Sequence, residues 1–145
     1  MGGLRRLFAV PRHDAFGNAA LLLLRAVAGL AFVLHGWGKI QDPLGWMGPD
    51  AFAPRVFQAL AALAEFGGGL AWVAGLVTPL ASAGIACTMV VAASLHAFVL
   101  GDPFVASGPG QGSWEVAAVY LCVALALLAL GPGRFSLDRA LFGAR

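Results

Sequence analysis

Residues 19–40 read AALLLLRAVAGLAFVLHGWGKI. The only ionisable groups in this run are Arg25, His35 and Lys39. As a helix it would be about 33 Å long, enough to cross the roughly 30 Å hydrocarbon core of a bilayer. It is far too long for a strand, and open strands are not tolerated in lipid because their backbone groups stay unpaired. Three more windows have the same character: 56–77, 80–100 and 114–130. Turn residues separate them, namely Asp42-Pro43 with Gly48-Pro49-Asp50, Thr78-Pro79, and Gly101-Asp102-Pro103 with Gly108-Pro109-Gly110. The middle connection is so short that the second and third spans must form an antiparallel hairpin. The expected fold is all-α, an integral membrane four-helix bundle in one domain over residues 1–145.

Composition agrees. Of 145 residues, 60% are hydrophobic and 11% charged, whereas soluble domains run at about 45–50% and 25%. A soluble domain, a disordered chain and a disulfide scaffold are thereby excluded. Two cysteines, Cys87 and Cys122, are too few for a zinc framework or iron–sulfur cluster, and a net charge of +2 does not suit a nucleic-acid binder. The flanks read as short amphipathic interfacial segments. Basic and apolar residues interleave over residues 1–18. At the other end Gly131-Pro132-Gly133 stops the last span, Ser136 is placed to cap a helix, and Leu137, Leu141 and Phe142 can form its apolar face.

Four spans put both termini on one side, with Arg5, Arg6, Arg12, Arg134, Arg139 and Arg145; the loops opposite carry Arg55 and Lys39. The positive-inside rule then places both termini in the cytoplasm.

Ionisable groups within spans cost about 2.5–3.5 kcal/mol each on insertion scales, so each needs a partner, water or a route to the interface. They are Arg25, His35, Lys39, Glu65, His96 and Glu115. Counting from the span ends puts five of the six in the outer half, at least one from every helix; Arg25 alone lies in the inner half. The small residues beside Glu65 (Ala64/Gly68, Gly67/Ala71/Gly75) allow close helix approach, so the polar stripes are expected to face other helices and share one outer chamber. The same small-residue stripe could pair two copies as a homodimer. Glu65, His96 and His35 would be the catalytic groups, as hydrogen-bond and proton partners of a redox ligand. Lys39 would polarise a carbonyl oxygen with His35, Arg25 would hold Glu65 ionised, and Phe32 and Trp72 could sandwich a planar head group beside Glu115. Plainer readings stand beside these: a structural ion pair of Glu65 with Arg25 or Lys39, a Lys39 that snorkels, and an interfacial belt of Trp37, Trp46 and Trp114. Ligation of haem by His35 and His96 is disfavoured by their charged neighbours, and no metal or flavin is expected.

The ordered set of motifs resembles the DoxX family. LLLLRAVAGLAFVLHGWGKI is similar to its first helix, EFGGGLAWVAGLVTPLAS to its Glu-x-Gly-Gly segment, and GPGRFSLD to its Gly-Pro-Gly-x-x-Ser-Leu-Asp signature. His96 and Glu115 fall where the third helix ends and the fourth begins. The likeness covers residues 18–139. It implies a small inner-membrane protein associated with a quinone-linked oxidoreductase, with a quinone as ligand and a second redox subunit as partner. The matched polar positions are Arg25, His35, Lys39, Glu65, His96, Glu115 and Asp138. The alternative is a membrane scaffold or small-solute carrier whose charges are structural. Against a carrier, the inner half offers only Arg25 as a polar step.

Overall fold

The computed structural model describes residues 8–144. Its long helices are α1 (Ala15–Gln41), α2 (Arg55–Ala74), α3 (Thr78–Ser94, continued by a π-helical turn over Leu95–Val99) and α4 (Glu115–Leu130); a short α5 (Leu137–Phe142) follows. The first three, with α3 counted through Val99, are long and apolar enough to cross a membrane. The chain is an all-helical membrane bundle. α1 packs most extensively along α2, α4 along α3 and α2 along α3, while α1 and α4 touch only sparsely. The bundle is therefore a ring with one open seam.

Helix boundaries follow local chemistry. α1 begins four residues before the expected 19, because the Asp14 carboxylate accepts the Gly17 N–H at 2.7 Å and caps it. α2 ends at Ala74 rather than 77. Gly75 turns left-handed there (φ 65°), and the N–H groups of Gly75 and Leu76 bond Trp72 O and Ala71 O. α4 has 16 residues, about 24 Å, short for a bilayer core. Its ends are closed by other segments: Trp114 N and Glu115 N donate to Pro103 O and Phe104 O, and His13 Nε2 bonds Leu130 O at 2.8 Å. A short helix can sit in lipid when its end groups are satisfied in this way.

The core joins Leu21, Ala28, Phe32, Trp72, Ile85, Met89, Ala124 and Leu127. Phe32 is central, meeting the Trp72 ring edge-on (5.5 Å, 89°) and the Tyr120 ring at 4.8 Å. The tightest helix contact is α1 on α2. A Cβ added at Gly69 would lie 2.7 Å from Val33 N and 2.8 Å from Gly29 O. On the α3 side a Cβ at Gly68 would meet the Ile85 side chain at 3.0 Å and Ala81 O at 3.7 Å. Of the small residues expected to pair two copies, Gly68 packs on Ile85, Ala64 beside Gly84 and Gly75 against Arg25 within the chain, whereas a Cβ at Gly67 would meet only Leu63 of its own helix. Backbones in lipid close up where side chains are small, and here both faces of α2 do so.

The C-terminal segment is a latch across the terminal end of the bundle. Ser136 caps α5 through Arg139 N, as expected. Asp138, however, is fully buried, and its carboxylate accepts Val77 N at 2.6 Å and Thr78 N at 2.8 Å. α5 therefore docks into the α2–α3 turn as well as exposing Leu137 and Leu141. Residues 8–14 run alongside, where Val10 N donates to Gly143 O and Phe8 meets Phe142. The basic N-terminal stretch that carries Arg5 and Arg6 lies outside the described residues.

Candidate functional site

The ionisable side chains fall into groups at the two ends of the bundle, with the aromatic core between. At the terminal end Arg25 is fully buried. Its Nη1 donates to Trp72 O at 2.9 Å and its Nη2 to Phe135 O at 2.5 Å. A cation at the last carbonyls of α2 complements the negative end of that helix dipole. The opposing carboxylate charge comes from Asp138. Arg25 does not hold Glu65, contrary to the expectation from sequence. It points to the chain's own carbonyls, and a Cβ at Gly75 would collide with its Nη1.

Glu65 belongs to Lys39. The ammonium lies 2.6 Å from Glu65 Oε1, with the carboxylate side chain 4% exposed and the lysine 25%. Gly36, one turn earlier on α1, rests against the Phe66 backbone and brings the two helices close enough for the pair to form. Lys39 also lies over the Trp46 ring, 4.5 Å from its centroid. Trp46 Nε1 donates to Gln58 O at 3.0 Å, while the buried Gln58 amide takes Met47 N and gives to Ala53 O. The α1–α2 loop is thereby tied down over the ion pair.

His96 makes a separate pair. Its Nδ1 is 2.7 Å from Asp102 Oδ2, and Asp102 N donates back to His96 O. The π-helical turn at Leu95–Val99 carries the imidazole, and such turns often mark functional positions. Gly112 leaves room for the Asp102 carboxylate, which a Cβ there would strike. Gly84 packs beside Ala64, and His96 lies twelve residues further along the same element, about 18 Å away. Glu65 and His96 therefore sit at different heights. The single chamber expected from depth counting is replaced by two ion pairs, because depth fixes height and leaves each side chain's nearest partner open.

Phe32 and Trp72 are 2% and 0% exposed and pack on each other, with Trp72 Nε1 donating to Ser82 Oγ at 3.0 Å. Their rings build the core instead of framing a ligand. Glu115 is half-buried in the first turn of α4, where an acid suits the helix dipole. His35 is exposed on the α1–α4 seam, its ring 6.5 Å from that of Tyr120. Tyr120 is the chain's single tyrosine, and sequence reading passed over it. Below it a groove of about 440 Å³ runs along the seam, lined by Ala20, Leu23, Leu24, Val27, Ala28 and Val123 with Tyr120 itself.

A family model described as DoxX matches residues 20–101. The chain belongs to the DoxX family. The match spans α1, α2 and α3 through the π turn, so it includes Arg25, His35, Lys39, Glu65 and His96 of this DoxX chain. Tyr120 and the Asp138 latch lie beyond it. No curated protein and no solved structure matches the chain.

Proposed function

We propose that this DoxX chain is the membrane component of a quinone-linked oxidoreductase system and that it seats a quinone in the α1–α4 seam. The observation that carries the reading is an apolar groove lined by Tyr120, whose ring has the His35 imidazole 6.5 Å away. A prenylated quinone needs an apolar trough for its tail and donors for its two carbonyl oxygens. The groove offers the trough, while the Tyr120 hydroxyl and the His35 imidazole are the donors. When bound, a quinone would supply two-electron, two-proton carrier chemistry. His35 would hold or pass a proton at its ring nitrogen, and Tyr120 would orient one carbonyl. Phe32 backs the Tyr120 ring from the core side.

Glu65 and His96 act in this reading through Lys39 and Asp102 rather than by direct contact. No flavin, haem or iron–sulfur motif is legible in the sequence, so a second redox subunit would deliver electrons. The proposed setting is the inner membrane with cytoplasmic termini, supported by Arg12, Arg134 and Arg139 at the terminal end against Arg55 and Lys39 at the loop end.

The competing reading is a scaffold, supported by the bonds that Arg25, Lys39, Glu65 and Asp138 make inside the chain. Purified protein mixed with menaquinone or ubiquinone distinguishes the two. At a hundredfold excess over Kd, binding contributes about 2.7 kcal/mol, enough to raise the melting temperature by several degrees. Tyr120→Phe and His35→Gln should each reduce that rise. A melting temperature indifferent to every quinone favours the scaffold.

A further inference from the structure

Lys39 is the only lysine in the chain, and three observations set it apart. First, its partner Glu65 is almost wholly enclosed, while the lysine keeps a quarter of its surface exposed. Second, the ring over the ammonium belongs to Trp46, which is anchored on Gln58. Third, that same Gln58 lines an open cleft of about 600 Å³ in the α1–α2 loop, together with Asp42, Gly45, Pro54 and Arg55. Neither Lys39 nor Glu65 lines this cleft; Trp46, set against the ammonium and bonded to the cleft residue Gln58, connects the pair to it. In the opposite direction the buried side chains Phe32, Ile85 and Leu127 fill the core, and the Trp72 indole N–H there is already given to the buried Ser82 hydroxyl.

We propose that the Lys39–Glu65 pair is a proton-exchange site that opens only at the loop end of the bundle, with the Trp46 ring as its gate. The ionisable groups around it are few. Asp42 and Arg55 lie in the cleft, His35 is one turn away on α1, His96 is engaged by Asp102 further along α3, and α4 contributes Glu115 at its start. When the ring swings aside, cleft water reaches the pair, and a proton can leave the ammonium for Glu65 or for water. The inference goes beyond the quinone reading and holds whether or not a quinone occupies the seam.

The single lysine makes this directly measurable. The full chain is placed in lipid vesicles, with protease removal of a C-terminal tag reporting which end faces out. A membrane-impermeant acylating reagent is added outside or trapped inside, and Lys39 modification is quantified by peptide mass spectrometry. Acylation requires an amine that has shed its proton, so the rate reads proton release as well as access. Lys39 should react slowly and only from the loop side, and at least tenfold faster in Trp46→Ala. Trp46→Phe keeps the ring and loses the bond to Gln58; it should give an intermediate rate and stands in if the alanine variant does not fold. Reaction from the terminal side, no reaction in any variant, or equal rates in folded wild type and the variants would overturn the proposal.

Discussion

Asp138→Ala should lower the stability of the purified protein by about 3–5 kcal/mol, the range for breaking a buried charged contact by removing one partner. The carboxylate is fully buried and takes two backbone N–H groups at the start of α3. Hydrogen bonds to a charged acceptor are worth roughly 1.5–3 kcal/mol each, and buried donors left unpaired cost more than the bond itself. Val77, one of the two donors, is the only described non-glycine residue at positive φ, 44°. For a β-branched residue that conformation is strained, at a cost of order 1–3 kcal/mol, and it persists only where surrounding contacts enforce it. Asp138 is the contact that enforces it. Its removal also leaves the Arg25 guanidinium without the neighbouring negative charge. In detergent the melting temperature should fall by roughly 10 °C or more, and Asp138→Asn should fall less because one oxygen acceptor remains. A drop of only a degree or two in the alanine variant would show that the latch is incidental to the fold.

Gly69→Ala should be nearly as damaging, although it adds a single methyl group. The new Cβ would sit within 3.0 Å of three backbone atoms of α1. Backbone cannot rotate aside as a side chain can, so α1 and α2 must separate along the crossing. Overpacking of this kind costs typically 1–3 kcal/mol, and more when the obstacle is rigid. Because the Lys39–Glu65 bond spans the same two helices one turn further on, the separation would stretch it as well. The expected readout is a loss of about 3 kcal/mol in thermal or denaturant melts. Gly67→Ala is the control: its Cβ would meet only Leu63 of its own helix, and stability should change little.

The hydropathy of residues 19–40 and its three counterparts was enough to read the helices, because in lipid nothing but a helix or a closed barrel satisfies the backbone. Their ends were legible where a capping side chain or a glycine marks them. Asp14 was such a mark and was passed over, since Phe16 and Asn18 blur the start of the apolar run. Polar partnerships were harder. The Lys39–Glu65 pair was one of two structural pairings open from the sequence. Arg25 went to main-chain carbonyls, which every residue carries and which therefore leave no signature. Asp102 read as loop punctuation until the chain folded it back on His96. GPGRFSLD gave its helix stop and its cap, but not the third contact, in which Asp138 reaches a turn sixty residues away in sequence. Tyr120 escaped notice because a hydroxyl on an otherwise apolar helix barely disturbs hydropathy. Its place beside His35 depends on how α4 is rotated, which the near-uniform apolar run EVAAVYLCVALALLAL cannot specify.

The seam itself is what most needs measurement. A photoreactive azidoquinone, irradiated with the full chain in lipid nanodiscs and mapped by peptide mass spectrometry, reads the site of contact directly. Adducts confined to residues 20–35 of α1 and 116–123 of α4, and competed away by unmodified quinone, are the predicted outcome. Competable adducts on α2 and α3 around Glu65 and His96, or labelling spread evenly over all lipid-facing helices, would contradict it.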